Sequence, residues 1–122
     1  MSITTTELLE KKCQHTETGL SDADIAVHLQ AVSGWTQDGP RMDAPRIVKS
    51  FNFKNYYETL AFINAIAYVI HAEDHHPELT VTYNRCVIKF DTHTVNGGRG
   101  GISVNDFICA AKVDALFEQS FV

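Results

Sequence analysis

A chain of 122 residues fits one domain with a buried core, and 44% hydrophobic against 20% charged residues is the balance of an ordinary soluble globular protein, not a disordered one. Ten basic against fifteen acidic residues leave a formal charge of −5, which argues against nucleic acid as the main partner. Cys13, Cys86 and Cys109 are odd in number and widely spaced, as expected of small reduced thiols rather than a disulfide framework. No secretory or transit segment is visible in residues 1–20, and the longest apolar stretch, Leu60 to Ile70, is too short to cross a bilayer. The expected compartment is the cytoplasm.

Residues 1–18 are polar and rich in Thr and Glu, and are expected to form an extension or a loosely packed arm, with one domain over residues 19–122. Ser21 reads as a helix N-cap, with Asp22 and Asp24 in a first turn where the helix dipole favours negative charge. Ile25, His28, Leu29 and Val32 give that helix its inner face, and Gly34 ends it. A short strand over Trp35 to Asp38, a Gly39-Pro40 turn and a second strand over Arg46 to Phe53 follow, the second alternating Ile47, Lys49, Phe51 and Phe53 with Arg46, Val48, Ser50 and Asn52.

Asn55 with Glu58 resembles a capping box and opens the strongest helical pattern. Leu60, Ile63, Ala67 and Ile70 form its stripe, widened by Phe62, Ile66 and Val69, so the helix should lie against a sheet. Pro77 cannot continue a helix and pushes the residue before it towards extended geometry, which ends the helix by about Asp74. Leu79, Val81 and Tyr83 alternate as a strand, Asn84-Arg85 can turn, and Cys86 to Asp91 can return beside it. After a glycine-rich loop, Ser103 and Asp106 make another capping box, opening a final helix with Phe107, Ala110, Ala111, Val113, Leu116 and Phe117 facing inward. The order α-β-β-α-β-β-α implies an α+β fold: a four-stranded antiparallel sheet with three helices on one face.

Chemistry gathers where the central pattern stops. Four of the six histidines, His71, His75, His76 and His93, fall between residues 71 and 93. Imidazole gives or takes a proton near neutrality, with an ordinary pKa of about 6.5. His75 and His76 follow the helix, and a hairpin separates them from His93, so its return can bring the three together. Zinc is the competing use, because His71 and His75 have i, i+4 spacing. Against it, Ala-Glu-Asp intervenes and no cysteine is near in sequence. The Gly97-Gly101 loop lacks the Lys-Ser/Thr end of a phosphate-binding loop and reads as a rim with Arg99 in solvent.

His71, His75-His76-Pro77, Tyr83, His93 and Asp106 stand at spacings that resemble the signature of the pterin-4a-carbinolamine dehydratases. Gly34-Trp35, Phe51-Asn52-Phe53-Lys54 and Gly101-Ile102-Ser103 are also similar to that family, so the resemblance spans about residues 19–118. His71 departs from the acidic residue frequent at its position, and the glycine-rich loop is a few residues longer than in the animal proteins. The resemblance implies dehydration of 4a-hydroxytetrahydropterin to quinonoid dihydropterin in tetrahydrobiopterin recycling, without metal or redox cofactor. It implies His75 and His93 as acid and base, in either assignment, with His76 orienting the pterin and aiding proton transfer. Pro77, Thr92, Thr94 and Val95 would line the pterin site with these histidines, while Asp106 and Trp35 would support it. It also implies a homodimer or homotetramer. A binding module on the same fold, as in animal members that partner a homeodomain transcription factor, is the alternative.

Overall fold

The structure, a computed structural model, describes residues 3–39 and 45–121. Strands β1 (Thr36–Asp38), β2 (Arg46–Asn52), β3 (Glu78–Thr82) and β4 (Arg85–Phe90) form one antiparallel sheet in the order β1-β2-β4-β3. Helices α1 (Thr5–Glu10), α2 (Asp22–Leu29), α3 (Tyr56–Glu73) and α4 (Val104–Ser120) complete the α+β fold, with a single 3-10 turn at Asn96–Gly98. Pro40 of the expected Gly39-Pro40 turn lies outside the described residues.

The sheet alternation has one buried consequence. Ile47 and Phe51 of β2 and Cys86, Ile88 and Phe90 of β4 point into the core, while Val48, Ser50, Val87 and Lys89 between them remain partly or fully accessible. Phe62 of α3 and Phe117 of α4 both meet Phe51 at 5.0 Å between ring centroids, so these helices cover the same face. Val32, beyond α2, is also buried, and the ring of His28 lies 5.1 Å from Phe107 of α4. The capping boxes are less uniform than expected. Ser103 and Asp106 form the reciprocal pair, whereas Asn55 caps α3 by accepting from the Glu58 N–H.

Two expectations need correction. The inner face of α3 centres on Phe62 and Ile66, with Ile63, Val69 and Ile70 packed partly against the core and Thr59 and Glu73 also buried, whereas Leu60 and Ala67 of the expected stripe are exposed. The apolar arc was wide enough to allow either orientation, and the aromatic contacts of Phe62 with Phe51, Phe53 and Phe117 select one. The second concerns the polar N-terminus, where a fourth helix stands instead of a loose arm. Thr4 and Glu7 make a full capping box, Leu8 is completely buried, and the Thr5 hydroxyl donates to the Ala31 carbonyl at 2.6 Å. Residues 11–16 then run beside α4, where Lys112 Nζ donates to the Lys11 carbonyl at 2.7 Å.

The fold positions the ends that matter. In the β3–β4 hairpin Glu78 pairs with Lys89, so the residues before β3 and those after β4 emerge side by side. Asp74, in a left-handed conformation (φ 49°, ψ 45°), ends α3 and turns the chain towards that end of the sheet.

Candidate active site

A cleft of about 320 Å³ opens at this end of the sheet, within the size range of small-ligand sites. His75 and His76, on the connection from α3, line it together with Thr92, His93 and Thr94, on the exit from β4. The hairpin therefore brings the three imidazoles to one cavity. Asp91 and, from the polar N-terminus, Cys13, Gln14, His15 and Thr16 also line it.

His75 is the most constrained of the three. Its Nε2 lies 2.6 Å from Asp106 Oδ1, its side chain is only 12% exposed, and its ring stacks parallel to Phe90, 5.9 Å between centroids and 7° between planes. Asp106, at the third position of α4, is fully buried. Its Oδ2 accepts from the Ser103 backbone N–H at 2.9 Å and from the Thr92 hydroxyl at 3.0 Å. Thr92 and Ser103 hydroxyls are 2.7 Å apart, and the Asn105 N–H donates to Ser103 Oγ. The donors can be followed round this network: Asn105 N–H to Ser103, Ser103 to Thr92, and Thr92, the Ser103 N–H and His75 to Asp106. The carboxylate thus has three donors and holds the Nε2–H tautomer of His75, leaving Nδ1 as the nitrogen free to exchange a proton. Burial pushes the Asp106 carboxyl above its ordinary range, opposed by the His75, Ser103 and Thr92 bonds.

His76 and His93 are exposed members of the cleft. The His76 side chain is 74% exposed, with Nε2 3.6 Å from Asp74 Oδ1. The loop after His93 is closed by paired backbone bonds between Thr92 and Gly101, 2.8 and 3.1 Å long. A Cβ at Gly101 would press on the Asn96 side-chain amide, which would have to shift. Arg99 stands in solvent.

Other residues singled out from the sequence lie elsewhere. Pro77 and Val95 are not among the residues lining the cleft, and Val95 is fully buried beside it in the chain. Trp35 is a core residue whose Nε1 donates to both carboxylate oxygens of Asp114 at 3.0 Å. Its ring meets Phe90, 5.8 Å between centroids, and Phe90 in turn stacks on His75. Tyr83 is exposed and stacked on Tyr56. His71 is exposed in the last turn of α3, and among the described residues no three His, Cys, Asp or Glu side chains gather as a metal would need.

The sequence reading missed Cys13–Thr16, Asp91 and Asn105. Glu73 is 7% exposed, accepts from the Cys13 N–H at 2.8 Å and from Lys112 Nζ at 2.7 Å, and so ties the N-terminal segment to the end of α3. Burial opposes its charge, but the bonds from Cys13 and Lys112, with the nearby Lys112 and Lys12 charges, outweigh it and hold the carboxyl below 4.5. A depressed carboxyl stabilises the fold above its unfolded pKa, and that contribution is lost as pH falls through the folded value. The Cys13 amide resonance should therefore titrate with a midpoint below 4.5 in an acid NMR titration. A midpoint at or above that value would contradict the tie.

An antiparallel sheet roofed by helices, with a carboxylate-held imidazole and three further imidazoles lining a cleft at its end, defines an α+β protein with a histidine-lined site. The model of the pterin 4 alpha carbinolamine dehydratase family matches residues 18–116, and the chain belongs to that family. It is accordingly an enzyme of the hydro-lyase class. A Bdellovibrio bacteriovorus protein, provisionally named pterin-4-alpha-carbinolamine dehydratase, is 56% identical over 116 residues, 95% of this chain and 92% of that one. The crystal structure of a Brucella melitensis protein described as a transcriptional coactivator/pterin dehydratase is similar with a TM-score of 0.71 at 28% identity, covering 81% of this chain and 98% of that one. A pterin dehydratase-like protein identified as a RuBisCO assembly factor in the alpha-carboxysome is similar with a TM-score of 0.56 at 27% identity, covering 68% and 88%.

Proposed function

We propose that the cleft dehydrates 4a-hydroxytetrahydropterin to quinonoid dihydropterin and water, as a step in tetrahydrobiopterin recycling. The observation that carries this reading is the His75–Asp106 pair in a cavity shared with His76 and His93. The elimination breaks the C4a–O bond and forms a C4a=N5 double bond. One imidazolium protonates the departing 4a-hydroxyl, and a neutral imidazole takes the N5 proton. Each such transfer contributes about 10²–10⁴-fold. His75 and His93 are the acid/base pair, His76 orients the pterin and aids proton transfer, and Thr92 and Thr94 add polar contacts. Asp106 acts through His75 by fixing its tautomer and ring plane. The elimination moves two protons and changes no oxidation state, so the chemistry as proposed calls on no metal or redox cofactor.

The reading includes a cytoplasmic homodimer or homotetramer. Supporting assembly are the edge strand β3 and the exposed Tyr57 and Tyr68 on α3. No helix among the described residues is long and apolar enough to cross a membrane. A second reading, a protein-binding module, is favoured by the coactivator and assembly-factor descriptions of the two structural relatives. The two readings part in one assay. With 4a-hydroxytetrahydropterin generated in situ, quinonoid dihydropterin should form faster with the protein than without it. Equal rates would remove the dehydratase reading and leave the binding module.

A further inference from the structure

One wall of the cleft comes from outside the segment that matches the family model. That match begins at residue 18, yet Cys13, Gln14, His15 and Thr16 line the same cavity as the residues already assigned. This strap is held at three points, and each anchor neighbours a site residue. Glu73, two residues before His75, accepts from the Cys13 N–H. Thr94, next to His93, donates its hydroxyl to the Thr16 carbonyl. Asn105, next to Asp106, makes two bonds to Gln14: its Oδ1 accepts from the Gln14 N–H at 3.2 Å and its Nδ2 donates to the Gln14 carbonyl at 2.7 Å. Only a carboxamide can both accept and donate in this way, as a neighbouring strand would. Asn105 and Glu73 are 6% and 7% exposed, and burying such groups is unfavourable unless they are bonded. Gln14 on the strap serves both polar atoms of the Asn105 side chain, and Cys13 serves one oxygen of Glu73 while Lys112 serves the other, so the strap is part of the folded site and not a loose cover.

The tethers decide what the strap can offer a ligand. The backbone groups of Cys13, Gln14 and Thr16 named above are already engaged. The Thr16 hydroxyl is turned to Thr18, and His15 pairs with Glu17 at 3.3 Å. The Cys13 sulfur lies 3.6 Å from Cys109 and contacts the Asn105 carbonyl. The remaining side chain is that of Gln14, exposed at the cleft wall. Its carboxamide sets an N–H donor beside an oxygen acceptor. The 2-amino-4-oxo pyrimidine ring of a pterin has the matching edge, with an N–H next to a carbonyl.

We propose that Gln14 binds the pyrimidinone edge of the pterin and that Asn105 is the positioning residue that holds it there. The inference rests on the pterin reading of the cleft and adds the group that recognises the ring. It is tested in the full chain by steady-state dehydration of 4a-hydroxytetrahydropterin. Gln14→Ala should raise KM about 10-fold, the effect of losing a pair of neutral hydrogen bonds, with kcat within about two-fold. Asn105→Ala should raise KM similarly, and Gln14→Ala/Asn105→Ala should raise it no further, because both changes remove one contact. Asn105→Asp keeps the acceptor and loses the donor, so its KM should fall between. A structural role for Asn105 alone would instead lower the melting temperature and add to the Gln14→Ala effect on KM, which would overturn its positioning role. A wild-type KM in Gln14→Ala, in a protein whose wild-type form is active, overturns the strap proposal alone. No turnover by the wild type overturns it together with the pterin reading.

Discussion

His75→Ala should lower kcat for carbinolamine dehydration by about 10²–10⁴-fold, the contribution of one positioned acid or base. Among the four histidines lining the cleft, His75 has its ring fixed on two sides, by Asp106 at 2.6 Å and by the parallel face of Phe90. A fixed ring presents the same nitrogen in every turnover, and its removal takes away both the proton carrier and its placement. KM should change much less than kcat, because the cleft keeps its other walls. His76→Ala should be milder. That imidazole is 74% exposed, with the exposed carboxylate of Asp74 at 3.6 Å, and water can substitute for much of what it offers. Stopped-flow absorbance of the quinonoid product gives both constants. A His75→Ala enzyme with wild-type kcat would remove His75 from the chemistry.

Asp106 should couple activity to stability. Asp106→Ala strips acceptors from the Ser103 N–H, the Thr92 hydroxyl and His75 Nε2 at once, in a site with no solvent exposure at the aspartate. Leaving such donors without partners costs about 1–3 kcal/mol each when nothing replaces them, and partial relaxation brings the net to about 2–4 kcal/mol. Part of that sum is the capping box of α4, which the same carboxylate completes. At about 3–5 °C per kcal/mol for a domain of this size, the melting temperature should fall by about 10 °C. Asp106→Asn separates the two effects. With its oxygen on the Ser103 N–H and the Thr92 hydroxyl it keeps the shape and the helix cap, but directs its amide donor at His75 Nε2–H. The imidazole must then rotate or change tautomer, and kcat should fall about 10²-fold or more with a smaller loss of melting temperature. Calorimetry beside the kinetic assay checks this. Wild-type kcat in Asp106→Asn would leave Asp106 as a helix cap and nothing else.

Much of this site could be read from residue order because its parts lie at element ends marked by local chemistry. Pro77 stops α3, Asn84-Arg85 turns the hairpin, and the register Glu78 to Lys89 follows from strands of nearly equal length. His93 therefore had to return near His75. Asp106 was visible locally as a capping residue, whereas its support of the site came only from the family resemblance, since the bond to His75 joins residues 31 positions apart. Trp35 illustrates the opposite case. A lone tryptophan after the first helix suits a pocket floor as well as a core, and the pair of bonds to Asp114 places it in the core.

The N-terminal strap was hidden for a different reason. Polar composition suggested a loose arm, although Thr4-x-x-Glu7 ahead of Leu8 has the pattern of a short capped helix. What holds residues 11–16 in place is mostly tertiary: the carboxylate of Glu73, the carboxamide of Asn105 and the ammonium of Lys112. No local periodicity announces such bonds. The inner face of α3 was ambiguous in the same sense, because seven apolar residues spread round the helix leave orientation to the aromatic partners on β2 and α4.

The central claim is that carbinolamine dehydration depends on the imidazoles of this cleft. Single-turnover dehydration by a His75→Ala/His93→Ala variant, with circular dichroism to confirm the fold, tests it most directly. The rate should fall to that of the spontaneous reaction, with the double change costing less than the product of the two single ones because acid and base act as a unit. A folded double variant that dehydrates the carbinolamine at the wild-type rate would contradict the claim.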